Sequence, residues 1–398
     1  MRHQVLDQAR EPAVVPSSTA DAKSDERRIP YLDTLRGLAS IQVLLSHSMM
    51  AFFLGTYFAA PSSGTLAGYL AATPLFFFLD GASAVCIFFV LSGYVLTPVF
   101  THSRASNGAI ICSRFLRLAI PAIAGCAFSA ILFRFFGGDN QTAGGLANSW
   151  WLAENWRPST NLWIFKDAIV NGVLLGFQDS SVVQWFGFPA ASLAPMPDSY
   201  VTPLWTLSIE FYGSLLVLLL ARARSRTLLI LATLVLCRSY LFCFVAGHIA
   251  ARFELGGKRL LVSWPLAALA AALGLGVCLI SHFKSPHAVV YACSVSAQFL
   301  APCPLAKPDY LMRVYGATLL TLGIMQCAGP DIPAAQVAQL SGPIVVPHLP
   351  DPLAYNIWPR QLLATDAGAL GGRPAGSAAG DDHLHRSNDC RSPLLRTH

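Results

Sequence analysis

The stretch LDTLRGLASIQVLLSHSMMAFFL, Leu32 to Leu54, reads as a membrane-crossing helix that nevertheless carries ionisable groups. Asp33 and Arg36 stand at its start, and His47 lies deep inside it. A lipid-facing charge in a span is expensive, so such a residue is by default a functional-site candidate. Arg36 and His47 are eleven residues apart. At about 100° per residue that is within roughly 20° of three full turns, so both share one face about 16 Å apart along the axis. A cation at the membrane edge in line with an imidazole near mid-membrane marks the two ends of a reaction channel.

Composition extends this reading to the whole chain. The 398 residues are 54% hydrophobic and only 12% charged, with a mean hydropathy of +0.52. Soluble domains carry about 25% charged residues, so the expected fold class is all-α, a polytopic transmembrane helix bundle in a lipid bilayer. The net charge of +6 is dispersed over short loops, where basic residues set topology and meet anionic ligands. No nucleic-acid partner is expected. Ten cysteines occur without a CxxC pair, mostly in apolar runs, which points to neither a disulfide framework nor a metal site. Residues 1–28 are polar and lack an apolar core. They are expected to be a disordered cytoplasmic tail without a cleavable signal, the first span acting as the targeting segment.

Apolar runs place about eight spans near 32–54, 75–98, 115–136, 203–221, 227–250, 260–281, 288–301 and 310–327. The stretch 137–202 is rich in Trp, Gly, Pro and Asn. It sets Arg157 and Lys166 against Asp139, Glu154, Asp167, Asp179 and Asp198, as an extracytoplasmic loop would. Within it, Leu162–Phe177 has the character of an amphipathic helix on the membrane surface. Arg27 and Arg28, then Arg104, Arg114 and Arg117, then Arg222, Arg224 and Arg226 fall on one side if the N-terminus is cytoplasmic. The cluster Arg252, Lys258 and Arg259 breaks this alternation if 227–250 is one span. Twenty-four residues cannot cross a bilayer twice, so the expectation is that residues have been lost near Cys237-Arg238-Ser239.

Three further blocks carry possible chemistry. FFVLSGYVLT, Phe88 to Thr97, places Ser92-Gly93 where backbones can approach closely. SRFLRLAIP puts Arg114 and Arg117 one helical turn apart, the spacing of a phosphate clamp at the cytoplasmic surface. PLWTLSIEFYGSLLVLLL sets Trp205, Ser208 and Glu210 near the outer end of the fourth span. Each has a plainer reading. Arg36 and the paired arginines also serve as topology anchors, Trp205 as an interfacial belt residue, and Ser92-Gly93 as helix packing. For His47 the functional reading leads. The other nine histidines, among them His102, His248, His282 and His287, fall near span ends or in tails and carry no comparable signal.

Four blocks in this order, Arg36–His47 with its Arg-x10-His spacing, FFVLSGYVLT, the Arg-x-x-Arg of SRFLRLAIP, and PLWTLSIEFYGSLL, resemble the acyltransferase 3 family of multi-pass membrane acyltransferases. That family includes bacterial enzymes that O-acetylate surface polysaccharides. The resemblance implies about ten spans and residence in the cell (inner) membrane. It implies a cytoplasmic acyl-CoA, acetyl-CoA above all, as co-substrate with no bound cofactor, and a hydroxyl of an envelope carbohydrate as acceptor. On it His47 matches the catalytic base, with Glu210 as a second catalytic candidate. Arg36, Arg114 and Arg117 match donor-binding positions, and Asp33, Ser92, Gly93 and Trp205 take supporting roles. The chemistry agrees: a neutral imidazole removes a hydroxyl proton near physiological pH, and arginine forks bind phosphates bidentately.

The domain reading is a tail at 1–28, a transmembrane domain at 29–328 and an aberrant, disordered tail at 329–398. After Ala328 no apolar run is long enough to span, and residues 342–398 lack periodicity. Synonymous codons for Pro343–Pro352, read one base later, encode Arg-Ser-Ser-Phe-Pro-Ile-Tyr-Leu-Ile-His, which is similar to a late motif of the same family. A frameshift near Gly342–Pro343 is therefore expected, and resequencing codons 335–355 tests it. Two readings stay beside the enzyme: an inactive, truncated relative, and a small-molecule transporter, whose usual internal repeats are not seen here. The oligomeric state is not encoded legibly.

Overall fold

The computed structural model describes residues 30–57, 69, 73–158, 163–178, 180–186, 188–258, 260–261, 263–280 and 308–328. The expectations for 1–28, for a span at 288–301 and for 329–398 lie outside the described residues. Within them the chain is an all-α membrane helix bundle, with no strand among the described residues. The opening stretch forms α1 (Pro30–Phe52). A tight turn over Pro74–Leu79 leads into α2 (Gly81–His102), capped by Asp80, whose carboxylate accepts the Ser83 amide. This N-cap, with Pro at the head of the turn, starts the helix at Gly81 where apolarity alone placed it near 75. Next comes α3 (Asn107–Phe136), capped by Ser106 and longer than the 115–136 expected. Arg114 therefore lies inside the helix with Arg117 and not ahead of it.

The loop is substantially structured. It holds α4 (Asp139–Leu146), α5 (Trp150–Glu154) and α6 (Lys166–Leu175), the last wound as a π-helix. The wide turn of α6 buries Asp167, Ala168, Asn171, Gly172 and Val173 against α3 and the next long helix, α7 (Trp205–Ala223). The expected surface helix is thus docked on the bundle. Its anchor is Asp167, which accepts from the Tyr200 amide at 2.8 Å and Asn171 Nδ2 at 3.1 Å. Burial raises the pKa of this carboxyl, and those donors partly offset the shift.

The apolar run at 227–250 is two helices, α8 (Arg226–Leu236) and α9 (Leu241–Leu255), broken at Cys237–Tyr240. Tyr240 packs on Phe89, Gly247 on Val90 and Tyr94, and His248 on Thr97, so α9 runs parallel to α2. Trp205 against Tyr240 and Gly213 against Phe244 make α7 parallel to α9 as well. The intervening α8 therefore runs back, and Arg252 and Lys258 return to the end that carries Arg222. At 1.5 Å per residue, α8 rises about 16 Å and does not cross a bilayer by itself. The hairpin brings Arg252 and Lys258 back to the Arg222 end, so the charge alternation does not by itself call for lost residues. Arg259 lies outside the described residues.

Helices α10 (Trp264–Ile280) and α11 (Pro308–Ala328) close the described bundle. They pack antiparallel through small residues: Gly274 faces Gly316 and Leu320, and Gly323 faces Ala267 and Ala271. At the centre stands α2, in contact with α1, α7, α9 and α11. Ala84, Cys86, Val90 and Leu91 on it are wholly buried. Three described helical segments, Gly81–His102, Asn107–Phe136 and Thr202–Ala223, are long and apolar enough to cross a membrane. Helix α1 is not among them, because its polar face dilutes its hydropathy.

Candidate active site

The polar face of α1 begins at Arg36, which pairs with Asp33 one turn earlier at 3.6 Å, both side chains well exposed at 37% and 56%. Another face of the helix is fixed by Gln42, whose amide Nε2 donates to the carbonyls of Phe77 at 2.6 Å and Asp80 at 2.9 Å. That lock sets the rotation of α1 and thereby the direction in which His47 points. His47 Nδ1 lies 2.8 Å from the Val43 carbonyl. A carbonyl only accepts, so Nδ1 carries the proton and Nε2 presents its lone pair. This is the tautomer a general base needs. Trp151 of α5 packs against the imidazole in a tilted contact, ring centroids 5.8 Å apart and planes 58° apart.

On α3, Arg114 and Arg117 part company. Arg117 is exposed. Arg114 is buried, and its Nη2 meets Glu210 Oε1 of α7 at 3.4 Å, with side-chain exposures of 10% and 30%. Arg114 Nε is buried with no hydrogen-bond partner among the described residues. Arg36 lies within electrostatic range of both Arg114 and Arg117. Three guanidiniums from two helices thus converge with two carboxylates, Asp33 and Glu210, leaving a net positive locus. Arg222 Nη2 donates to the Ala105 carbonyl at 3.0 Å, which marks the level at which α7 ends and α3 begins. Arg114 sits seven residues into α3, about 10 Å along its axis, so the arginine pair reaches inward and is not confined to the surface.

Glu210 accordingly belongs to the arginine cluster and not to the outer mouth where sequence placed it. Trp205 packs on Tyr240 at 5.8 Å within the α7–α9 core. Gly93 meets the Phe244 backbone so closely that a Cβ would collide with its carbonyl. Gly93 is therefore a helix-packing residue, and Asp33 pairs with Arg36.

Several buried polar groups escaped the sequence reading. Asp80, 1% exposed in its side chain, pairs with Arg313 of α11 at 3.2 Å and accepts from Ser83 Oγ at 2.5 Å. Tyr94 donates to Glu254, which also accepts from Gln326 Nε2 at 2.7 Å. His248 is 1% exposed, in the body of α9 and not at a span end. Thr97 Oγ1 already donates to the Gly93 carbonyl, so His248 Nδ1 donates to Thr97 Oγ1 at 2.8 Å. Arg313 inside an apolar run was a legible signal. The pairings were not, since they join residues more than 70 positions apart.

Comparison with known proteins adds an independent line. Residues 29–321 match the Acyl_transf_3 model, an acyltransferase domain. The chain is 25% identical over 291 residues to the O-acetyltransferase PaAT-1 of Phomopsis amygdali, an alignment covering 65% of this chain and 57% of that protein. The chain thus spans a little over half the length of this curated relative. No solved structure matches it.

Proposed function

This chain belongs to the Acyl_transf_3 acyltransferase family, and we propose that it moves an acyl group, acetyl in the first instance, from acyl-CoA to a hydroxyl of a carbohydrate or similar acceptor. It does so as a multi-pass protein of the cell membrane with its N-terminus cytoplasmic. The observation that carries this reading is the state of His47: Nδ1 committed to the Val43 carbonyl, Nε2 bare, on the helix face that begins at Arg36.

In the proposed step Nε2 takes the proton of the acceptor hydroxyl as its oxygen attacks the thioester carbonyl. The carbon–sulfur bond then breaks, and the departing thiolate collects the proton from the imidazolium. Proton and acyl balances both close, with an ester and a free thiol as products. Arg36, Arg114 and Arg117 supply the cationic locus for the phosphates of the donor. Glu210 holds the Arg114 fork in place, and Asp33 does the same for Arg36.

The test uses the full chain reconstituted in nanodiscs, with acetyl-CoA as donor and an alkyl glucoside as acceptor. His47→Ala should lower acetyl transfer by roughly two orders of magnitude or more, the usual contribution of general-base catalysis, while the protein still inserts. Near wild-type transfer by that variant refutes the assignment.

A further inference from the structure

The extramembrane hairpin of α4 and α5 is built as a rigid body. Asn140 is 1% exposed. Its amide spreads over the carbonyls of Leu152, Ala153 and Asn155 at 3.3, 3.3 and 2.8 Å. Gly144 lets the two arms touch: a Cβ there would stand 2.6 Å from the Ala153 amide nitrogen. The hairpin is tied to α1 by a hydrogen bond. Ser149, 1% exposed, caps α5 by accepting the Leu152 amide at 3.2 Å and donates its own proton to the Met50 carbonyl at 2.8 Å. That carbonyl lies in the last turn of α1, where carbonyls lack helical partners. Two residues beyond Ser149, Trp151 is delivered onto the His47 ring.

A hydroxyl-bond tie, a three-way amide brace and an aromatic contact thus converge on one imidazole. We propose that the α4–α5 hairpin is a cap over His47. In it Trp151 is the positioning residue that shields Nε2 from water, so that the acceptor hydroxyl and not water takes the acyl group. The inference rests on His47 acting as the base. Shielding matters because water competes for the same thioester, and excluding it suppresses hydrolysis. Indole suits the place: tilted against the imidazole, it packs broad apolar surface beside that ring without adding a competing acid or base.

Diethyl pyrocarbonate, which carbethoxylates neutral imidazoles, reads the shielding directly in the full chain in nanodiscs. Modification is followed site by site by mass spectrometry, with the deeply buried His248 as internal control. Trp151→Ala should raise the rate at His47 severalfold and leave His248 unchanged, and Trp151→Phe should restore most of the protection. The same Ala variant should release more thiol from acetyl-CoA without acceptor, with the donor KM unmoved. A wild-type rate at His47 in Trp151→Ala overturns the cap. Should that variant also expose His248, Ser149→Ala decides, since it removes the tie to Met50 and the N-cap of α5, both of them hairpin contacts remote from His248: faster reaction at His47 alone supports the cap, and an unchanged rate overturns it. His47→Ala is assayed in parallel. If it keeps wild-type thiol release, the base assignment falls while the modification rates still judge the cap.

Discussion

Arg114 carries a guanidinium that is nine-tenths buried yet satisfied on one side only: Nη2 reaches Glu210 at 3.4 Å, and Nε has no partner among the described residues. A buried donor left unpaired costs about 1–3 kcal/mol, so this arrangement persists at a loss unless an anion completes it. Lysine in its place keeps the charge and removes the fork. Arg114→Lys is therefore expected to insert and fold normally while raising the KM for acetyl-CoA about tenfold, near the value of one charge-assisted hydrogen bond. An unchanged KM would remove Arg114 from the donor site. The Arg36–His47 alignment was readable in advance because both residues sit on one regular helix, where spacing alone fixes direction. The Arg114–Glu210 contact was not, because it joins residues 96 positions apart and depends on how α3 and α7 pack.

Helix boundaries followed local chemistry more than apolarity. The Asp80 and Ser106 caps set where α2 and α3 begin, and a cap is a local signal that hydropathy averages away. The break between α8 and α9 was harder to foresee. Cys237-Arg238-Ser239-Tyr240 contains neither glycine nor proline, and the apolar run continues through it. Local and tertiary bonds hold the turn together: the Ser239 amide and Oγ each donate to the Leu236 carbonyl at 2.9 Å, and Tyr315 of α11 donates to the Cys237 carbonyl at 2.6 Å. The parallel contact of α9 with α2 is closest at Gly247, where a Cβ would strike the Val90 carbonyl and lie 2.7 Å from the Tyr94 nitrogen. These neighbours are backbone and cannot rotate aside. Gly247→Ala should therefore force the helices apart and destabilise the protein by about 1–3 kcal/mol, read as a lower midpoint of thermal unfolding in detergent. Gly276→Ala in α10 is the control, because a Cβ there meets nothing within 4 Å. It should be neutral or slightly stabilising. Equal losses from the two variants would refute the close-contact argument.

Across the whole molecule, the sequence disclosed an apolar helical chain and one functional face, whereas the contacts that close the bundle join its far ends. Asp80, at the head of central helix α2, and Arg313, on the last described helix, are separated by 233 positions and meet as a buried ion pair. The pair matters for the reading of the tail, since α11 is the last described helix before the stretch in which a change of frame is expected. If Asp80 holds α11 to the core, the family-like part of the chain is closed on itself upstream of that stretch. Breaking such a pair from one side leaves a buried charge alone and costs about 3–5 kcal/mol. Asp80→Asn is the suitable probe on α2, because asparagine still caps the helix, and Arg313→Met is its counterpart on α11. Each single variant should lower the unfolding midpoint clearly. The double variant should lose less than the sum, with a coupling of about 1–3 kcal/mol, because no orphan charge remains. Additive losses would mean that the two charges are held separately, and α11 would then owe its place to its other contacts, the small-residue seam with α10 and the bonds from Tyr315 to Cys237 and from Gln326 to Glu254.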